Sequence, residues 1–341
     1  MRALVARLDN AGDVLLAGPA VRAIAAGADH VTLLCGPRGA EAAAMLPGVD
    51  AVLVRRAEWI DPDAAAVERA AVDHYISRIA AQRADVAAVL TSFHQSALPL
   101  ALLLRMAGVP RIAAISEDFP GSLLDHRVAD PGDVPEAERG LVVVRALGFA
   151  LPPSDAGALA VVAESAPPGL PERYVVVHPG ASVPARAWAP ARHAALVDRL
   201  AADGRAVVVT GSPGERSLTA TIAGPPRSGV ADLGGTTSLA QLAGVLAGAD
   251  AVVVGNTGPA HLAVAVGTPV VSLFAPTVPP ARWRPHGVKH ELLFRGVPCA
   301  GCRARTCPVA GHPCLDDVTV EDVLAALERL AALDRRGAVA A

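Results

Sequence analysis

The stretch DAVVVGNTGPAHLAVAVGTPVVSLF, residues 250–274, decides the fold class of this chain. It begins and ends with short, continuous apolar runs rich in valine, and an alanine-rich segment lies between them. Continuous apolar strands separated by a helix are typical of a parallel sheet that is covered on both faces. Asn256 and Thr257 follow the first run and are residue types that cap helices. The stretch therefore predicts a strand–helix–strand unit.

The same alternation continues through both halves of the chain. We predict strands over residues 2–8, 30–36, 51–56, 86–92, 111–116, 174–180, 205–211, 230–235, 251–256 and 269–274. We predict helices over residues 14–26, 63–83, 190–203, 213–223, 238–247, 258–266 and 319–334. A stretch rich in proline, glycine and serine, residues 149–174, is typical of a linker. We therefore expect two doubly wound α/β domains, 1–160 and 172–334, with a cleft between them.

The composition indicates a globular chain and argues against nucleic-acid binding and membrane spanning. The 341 residues suit two domains, and a hydrophobic content of 52% with 18% charged residues indicates a globular chain. The net charge of -3 argues against a general nucleic-acid binder, which would carry a basic excess. The N-terminus lacks the pattern of a signal peptide. The most apolar run, residues 97–109, is shorter than the roughly 20 residues of a membrane span. We expect a cytoplasmic protein.

Ligands of doubly wound sheets bind at the carboxyl ends of the strands, so the strand-to-helix loops carry the candidate site. In the loop GNTGPAH, residues 255–261, Thr257 and Gly258 begin a helix whose free N–H groups can bind an anion. Asn256 precedes this helix start, and His261 follows in the first turn. An ordinary capped helix with a packed His261 explains this loop equally well.

Two further loops of the second half have the same form. In HPGASVPARAW, residues 178–188, Ser182 precedes Arg186, whose forked guanidinium suits a phosphate. The alternative is a surface arginine with Trp188 as a packing anchor. In the loop after the next strand, Glu215 is placed to bind ribose hydroxyls, and a capped helix is again a sufficient alternative.

The first loop of the chain, LDNAGD, brings Asp13 to the start of the first helix. The dinucleotide-binding pattern G-x-G-x-x-G is absent, because the glycines are residues 12 and 18. A carboxylate is stabilised by about 0.3–1 kcal/mol at a helix N-terminus, which by itself accounts for Asp13. An ionised carboxylate that faces a cleft can also take a proton from a hydroxyl. His94 and Gln95 are candidates to line an acceptor cleft, or lie in a surface turn.

Four of the five cysteines lie close together near the end of the chain: Cys299, Cys302, Cys307 and Cys314, with His312 among them. The C-x-x-C pair is a half-site for tetrahedral zinc, and the second pair has a less regular spacing. A structural zinc that staples this segment is one interpretation. Reduced thiols without a metal are the other, and neither gives these residues a part in a reaction.

Together the loops resemble glycosyltransferase family 9, the ADP-heptose:lipopolysaccharide heptosyltransferases. The resemblance covers nearly the whole chain. It is carried by RLDNAGDVLLAGPAVRAI (7–24), HPGAS with RAWAPARHAAL (178–182 and 186–196), GNTGPAHLAVAVGTPVVSLFAPT (255–277) and CAGCRARTCPVAGHPCL (299–315). It implies the GT-B fold of two Rossmann-like domains. It also implies an inverting, metal-independent transfer that requires no cofactor.

The resemblance also implies roles for single residues. Asp13 matches the proposed base of the family. Ser182 and Arg186 match positions that contact the donor diphosphate, and Glu215 matches a ribose contact. The donor loop of the family is matched by Thr257, Gly258 and His261. Two positions differ: Asn256 stands where the family usually has aspartate, and Arg186 where it has lysine.

The implied partners are a nucleotide-sugar donor, ADP-heptose or a similar compound, and a glycan or glycolipid acceptor. We expect no nucleic-acid partner and at most a peripheral contact with the inner face of the membrane. Two alternatives keep the same fold: a nucleotide-sugar epimerase or hydrolase, and a non-catalytic nucleotide- or glycan-binding module, which the asparagine at Asn256 favours. A nicotinamide oxidoreductase is disfavoured by the missing glycine pattern.

Overall fold

A computed structural model describes residues 1–61 and 63–339, with residues 333–339 described by their backbone only. The chain divides into two compact units, Met1–Val162 and Ala163–Ala341. Within the described residues each unit contains one six-stranded sheet, and every strand pairing in both sheets is parallel. The predicted α/β architecture with two Rossmann-like sheets is confirmed.

The elements alternate along both units. The strands of the first unit are β1 (Arg2–Arg7), β2 (His30–Cys35), β3 (Ala51–Val54), β4 (Val86–Val89), β5 (Arg111–Ile115) and β6 (His126–Val128). Its helices are α1 (Ala11–Leu16), α2 (Gly18–Ala25), α3 (Ala40–Met45), α4 (Arg69–Ala80), α5 (Leu98–Met106) and α6 (Glu136–Ala146).

The second unit repeats this pattern. Its strands are β7 (Val175–His178), β8 (Val207–Val209), β9 (Val230–Asp232), β10 (Ala251–Gly255), β11 (Val270–Leu273) and β12 (His290–Leu293). Its helices are α7 (Pro190–Ala202), α8 (Arg216–Ala223), α9 (Leu239–Ala247), α10 (Gly258–Ala265), α11 (Pro280–Trp283), α12 (Pro313–Asp316) and α13 (Val320–Val339).

The strand order locates the ligand sites of both sheets. The first sheet has the order β3-β2-β1-β4-β5-β6, and the second has β12-β11-β10-β7-β8-β9. In the first sheet the chain reverses its direction of growth between β1 and β4, and in the second between β7 and β10. Ligands of open parallel sheets bind outside the carboxyl ends of the strands at such reversals. The loops after β1, β4, β7 and β10 are therefore the places to look for a site.

The central strands are buried because helices cover both faces of each sheet. Leu4 and Val5 of β1 are fully buried, as are Val252 and Val253 of β10. The apolar run over residues 97–109 forms α5, whose inner side chains belong to the core of the first unit. In the described part of the chain, no helix combines the length and the apolar character needed to cross a membrane.

The structure differs from the sequence prediction at edges and breaks. The predicted helix over residues 14–26 is two helices, α1 and α2, which meet just before Pro19, a residue without an N–H to donate. The edge strands β6 and β12 were not predicted, because they are short and only partly buried. Helix α4 begins at Arg69, later than the predicted residue 63.

Gly244 gives a stability prediction for the second unit. Helix α9 packs on the chain that leads into β7, where the Glu164 N–H donates to the Ala240 carbonyl oxygen at 3.1 Å. A methyl group at Gly244 would lie 2.7 Å from the Ala166 nitrogen, and closer still to the Glu164 carbonyl oxygen. Gly244→Ala should therefore lower the free energy of unfolding by about 1–3 kcal/mol, although alanine is the better helix former.

Chemical denaturation of Gly244→Ala and of a matched control, Gly296→Ala, tests this packing. Gly296 has open space around its Cα, so the control should stay within about 0.5 kcal/mol of the parent chain. A Gly244→Ala variant as stable as the control would contradict the close approach of α9.

Candidate active site

A buried guanidinium organises the polar centre of the first unit. Arg7 ends β1, and its side chain is 5% exposed. Its Nη2 donates to Asp13 Oδ1 at 3.0 Å and to Ser92 Oγ at 2.9 Å. The same nitrogen lies 3.5 Å from Glu136 Oε2, and Nε lies 2.9 Å from Asp9 Oδ2. Residues from β1, α1, the loop after β4 and α6 thus meet where the strand order of the first sheet reverses.

The charges of this centre depend on one another. Burial would by itself lower the pKa of Arg7, and the carboxylates of Asp9, Asp13 and Glu136 outweigh burial and raise it. Arg7 therefore remains a cation. Burial raises the pKa of the Asp9 carboxyl above its usual range; Arg7 opposes this rise, and Asp13 adds to it. The Gln95 side-chain amide donates to the second oxygen of Asp9, Oδ1.

Asp13 is the carboxylate of this centre that reaches solvent. It lies in the first turn of α1 with 19% of its side chain exposed. It lines a small pocket of about 10 Å³ together with Arg7, Glu136 and Arg139. The carboxylate thus combines a fixed cationic partner with access to a pocket, which is the arrangement needed to receive a proton from a bound hydroxyl.

Glu136 and Arg139 are members of the centre that the sequence analysis missed. Glu136 Oε1 lies 3.2 Å from Arg139 Nε, both side chains are almost fully buried, and Arg139 Nη1 also binds Asp130. The sequence of α6 contains a signal for this. Glu136, Arg139 and the apolar Val143 follow one another at intervals of three and four residues, which places them on the same, buried face of the helix. Charged residues on a buried face indicate a polar centre beneath the helix.

A second, polar pocket adjoins this centre. Its volume is about 300 Å³, and it shares Thr91, Ile115 and Arg139 with the pocket of Asp13. His94 and Gln95, which the sequence offered as candidates for an acceptor cleft, line it. Their part in binding an acceptor stays a prediction.

In the second unit, Arg186 lies in a short turn after β7. The turn spans Pro184–Arg186, and Arg186 Nε donates to the Thr277 hydroxyl at 3.1 Å. The Arg186 carbonyl oxygen lies so close to Gly255, at the end of β10, that an added methyl group there would be 3.3 Å away. Ser182 is exposed in the loop between β7 and this turn. The structure thus brings the loops after β7, β10 and β11 together.

The loop after β10 has the predicted helix start. Thr257 is the N-cap residue of α10, which begins at Gly258, and His261 is buried in its first turns. Asn256 is 5% exposed, and its Nδ2 has no hydrogen-bond partner among the described residues. A buried amide without a partner costs free energy, so a bound ligand that accepts its hydrogen bond would stabilise this loop.

Glu215 caps a helix in this structure. Its Oε2 accepts hydrogen bonds from the Ser212 N–H at 2.7 Å and from the Ser212 hydroxyl at 2.8 Å. A methyl group at Gly180 would collide with its carboxylate, so Glu215 lies against the loop after β7. Burial lowers the pKa of the neighbouring His178 to about 4, against the opposite effect of Glu215. The ribose contact of Glu215 stays a prediction.

The cysteine segment supports the Arg186 turn and gives the zinc interpretation no support. Among the residues that the structure describes, no group of three or more histidine, cysteine, aspartate or glutamate side chains is arranged to hold a metal. Cys302 is exposed, whereas Cys314 is buried, which raises the pKa of its thiol to about 11. The cysteine segment contacts the Arg186 turn through its backbone: the Ala185 N–H donates to the Arg305 carbonyl oxygen at 3.0 Å. His312 Nε2 lies 3.1 Å from the Ala185 carbonyl oxygen.

Glu136→Gln tests the charge network of the first unit. The change removes a carboxylate that is 1% exposed and lies between two arginines, so two buried guanidinium groups each lose an anionic partner. We expect the free energy of unfolding to fall by about 3–5 kcal/mol. The control is Glu328→Gln, which breaks the exposed pair with Arg205 and should cost about 0–1 kcal/mol. Equal losses in the two variants, measured by urea denaturation, would contradict the network.

Comparisons with known proteins agree on one family. The model of glycosyltransferase family 9 (heptosyltransferase) matches residues 75–312. Lipopolysaccharide heptosyltransferase 1 of Pseudomonas aeruginosa is 33% identical over 224 residues, which cover 62% of this chain and 61% of that protein. Lipopolysaccharide heptosyltransferase 3 of Escherichia coli is 32% identical over 169 residues, 48% of each chain. The chain thus matches 48% of the length of one of these curated relatives and 61% of the other.

Solved structures share the fold. A glycosyl transferase family 9 protein from Veillonella parvula superposes with a TM-score of 0.78 at 18% identity and covers 96% of both chains. The ADP-heptose heptosyltransferase II of E. coli superposes with a TM-score of 0.74 at 21% identity, over 98% of this chain and 100% of that chain. With the family match over most of its length, the chain belongs to glycosyltransferase family 9, the heptosyltransferase family.

Proposed function

We propose that this protein transfers a heptose-like sugar, with inversion and without a metal, from a nucleoside-diphosphate donor to a hydroxyl of a glycan or glycolipid. ADP-heptose is the first candidate donor, because the related proteins named above are heptosyltransferases. We assign acceptor binding to residues 1–160 and donor binding to residues 172–334. The observation that carries the proposal is Asp13, a partly exposed carboxylate that Arg7 binds at 3.0 Å beside a pocket.

In the proposed reaction Asp13 is the general base. It takes the proton of an acceptor hydroxyl while the hydroxyl oxygen forms a bond to the anomeric carbon of the donor sugar. The bond between that carbon and the diphosphate oxygen breaks, and the leaving diphosphate keeps the electron pair. Because attack and departure occur on opposite faces of the carbon, one displacement inverts the configuration.

The leaving diphosphate gains negative charge, and groups of the second unit are suited to stabilise it. Arg186 supplies a permanent cation, and the start of α10 at Thr257 and Gly258 supplies backbone N–H groups. Ser182 adds a hydroxyl from an exposed loop. These groups perform the task that a divalent metal performs in other transferases, so the proposal requires none.

The remaining predicted donor residues contact the sugar and the nucleoside. The buried Asn256 amide, which has no partner in the described structure, would donate to a sugar hydroxyl or a phosphate oxygen. His261 lies close by in sequence, and Glu215 is assigned to the ribose. An amide donates where the carboxylate usual in the family only accepts, so we expect the donor sugar to differ in the group bound at this position.

We place the reaction in the cytoplasm. A glycolipid acceptor would be reached at the inner face of the membrane by a peripheral contact. Neither the acceptor nor this contact requires a membrane-spanning segment in the chain.

Nucleotide binding tests the donor assignment. Thermal unfolding is measured with ADP, GDP, UDP, dTDP and NAD at equal concentrations, since a ligand at 100 times its dissociation constant adds about 2.7 kcal/mol to stability. We expect ADP to stabilise the parent chain. Arg186→Ala should lower the affinity for ADP at least tenfold. The control is Arg199→Ala, an exposed arginine of α7 that should leave the affinity unchanged. Stabilisation by NAD alone would contradict the proposal. Stabilisation by a nucleoside diphosphate other than ADP would keep the proposed transfer and change the class of donor.

Asp13→Asn tests the base. The variant should lose at least 100-fold in transfer rate while its affinity for ADP stays within twofold of the parent chain, because the amide cannot accept the proton. The control is Asp73→Asn, an exposed residue paired with Arg69. Full transfer activity in Asp13→Asn would remove Asp13 from the mechanism. Donor consumption in the parent chain without any acceptor would instead support a hydrolase or an epimerase.

A further inference from the structure

We propose that Arg7 is a positioning residue, which fixes the Asp13 carboxylate for proton transfer and is itself held in place by Asp9 and Glu136. The inference rests on the proposed role of Asp13 as the base. It assigns to Arg7 a function in turnover that goes beyond folding. Asp9 and Glu136 become supports of that function.

The placement of Arg7 fits this role. It is the last residue of β1, the central strand at which the first sheet reverses its order. Asp13 follows six residues later in the first turn of α1. A side chain on a central strand has little freedom to move, because the strand is rigid. Groups bound to that side chain are therefore held in defined positions.

The geometry requires a guanidinium. Nε approaches Asp9 Oδ2 at 2.9 Å, while Nη2 donates to Asp13 Oδ1 at 3.0 Å and to Ser92 Oγ at 2.9 Å. One planar, rigid fork thus contacts two aspartates in different directions. A lysine has a single nitrogen on a flexible stem and does not reproduce both directions at once.

The burial of the three carboxylates separates their roles. The Glu136 side chain is 1% exposed and the Asp9 side chain 9%, whereas the Asp13 side chain is 19% exposed; Asp13 and Glu136 line the same pocket. Asp9 is engaged through both oxygens, Oδ1 by Gln95 and Oδ2 by Arg7. Asp9 therefore anchors the guanidinium from inside the protein, and Asp13 is the member that can meet a substrate.

Glu136 completes the support from the opposite side. Its Oε2 lies 3.5 Å from Arg7 Nη2, and its Oε1 lies 3.2 Å from Arg139 Nε. A single ion pair would need one carboxylate for Arg7, yet three surround it. Burying charges is costly even when they are paired, so an arrangement this rich in charge is poor evidence for stability alone. The charged arrangement instead holds the Asp13 carboxylate in one position beside a pocket. A fixed base reduces the entropic cost of reaching the geometry for proton transfer.

Arg7→Lys tests the inference because it keeps the charge and removes the fork. We expect kcat to fall at least tenfold, with the KM for the donor and the affinity for ADP within twofold of the parent chain. The matched control is Arg22→Lys, which breaks a comparable two-nitrogen contact with Asp155, at 2.6 and 3.0 Å. The control should leave kcat unchanged. An unchanged kcat in Arg7→Lys, or a parallel loss of kcat and ADP affinity, would overturn the inference.

A second variant covers the case in which Arg7→Lys does not fold. Asp9→Asn keeps the guanidinium and the size of the side chain and removes the charge that anchors Arg7. We expect kcat to fall at least threefold with ADP affinity unchanged, and an unchanged kcat would count against the inference.

Asp13→Asn separates the two claims. If Asp13→Asn keeps full transfer activity, the proposed base fails, and the positioning role of Arg7 fails with it. If Asp13→Asn is inactive and Arg7→Lys is fully active, the proposed base stands and the positioning role fails.

Discussion

A charged guanidinium buried at the end of the first strand requires carboxylates around it, and this requirement shapes the polar centre of the first unit. Arg7 cannot lose its charge, so the carboxylates of Asp9, Asp13 and Glu136 compensate it at this buried position. The helices that carry Asp13 and Glu136, α1 and α6, must then approach β1 in one arrangement. Asp13 and Glu136 both contact Arg7 and line the same pocket, and Asp13 is the more exposed of the two, at 19% against 1% of the side chain. The same constraint thus fixes the fold locally and prepares a carboxylate for chemistry.

The second unit has the same topology, but its loops at the reversal of the sheet carry a cation and a helix start in place of carboxylates. Its sheet reverses between β7 and β10, and the loops at that point carry Arg186 and the start of α10. Backbone contacts from the cysteine segment to Ala185 hold the Arg186 turn, and the Arg303 N–H donates to the Thr277 carbonyl oxygen at 2.9 Å. Thr277 in turn accepts from Arg186. A segment of low apolar content is therefore used as a support for a cation, through its backbone and not through its thiols.

The sequence was sufficient for the sheets and for the loops after the central strands, because long apolar runs and the carboxyl-end rule depend on local pattern. It was insufficient for β6 and β12, since a short edge strand carries no continuous apolar signal. Glu136 was missed because its contact with Arg7 spans 129 residues and exists only once α6 packs on the sheet. The spacing of the cysteines suggested zinc, and this interpretation stays a prediction, because spacing alone does not determine how the thiols are arranged.

The anomeric configuration of the product tests the central claim most directly. The chain is incubated with a nucleoside-diphospho-heptose and a glycan acceptor in the presence of a metal chelator. The one-bond carbon–hydrogen coupling of the new linkage is then read by NMR. Direct displacement by a hydroxyl that Asp13 activates predicts inversion, with transfer undiminished by the chelator. Retention of configuration, or transfer that stops when metal is removed, would contradict the account.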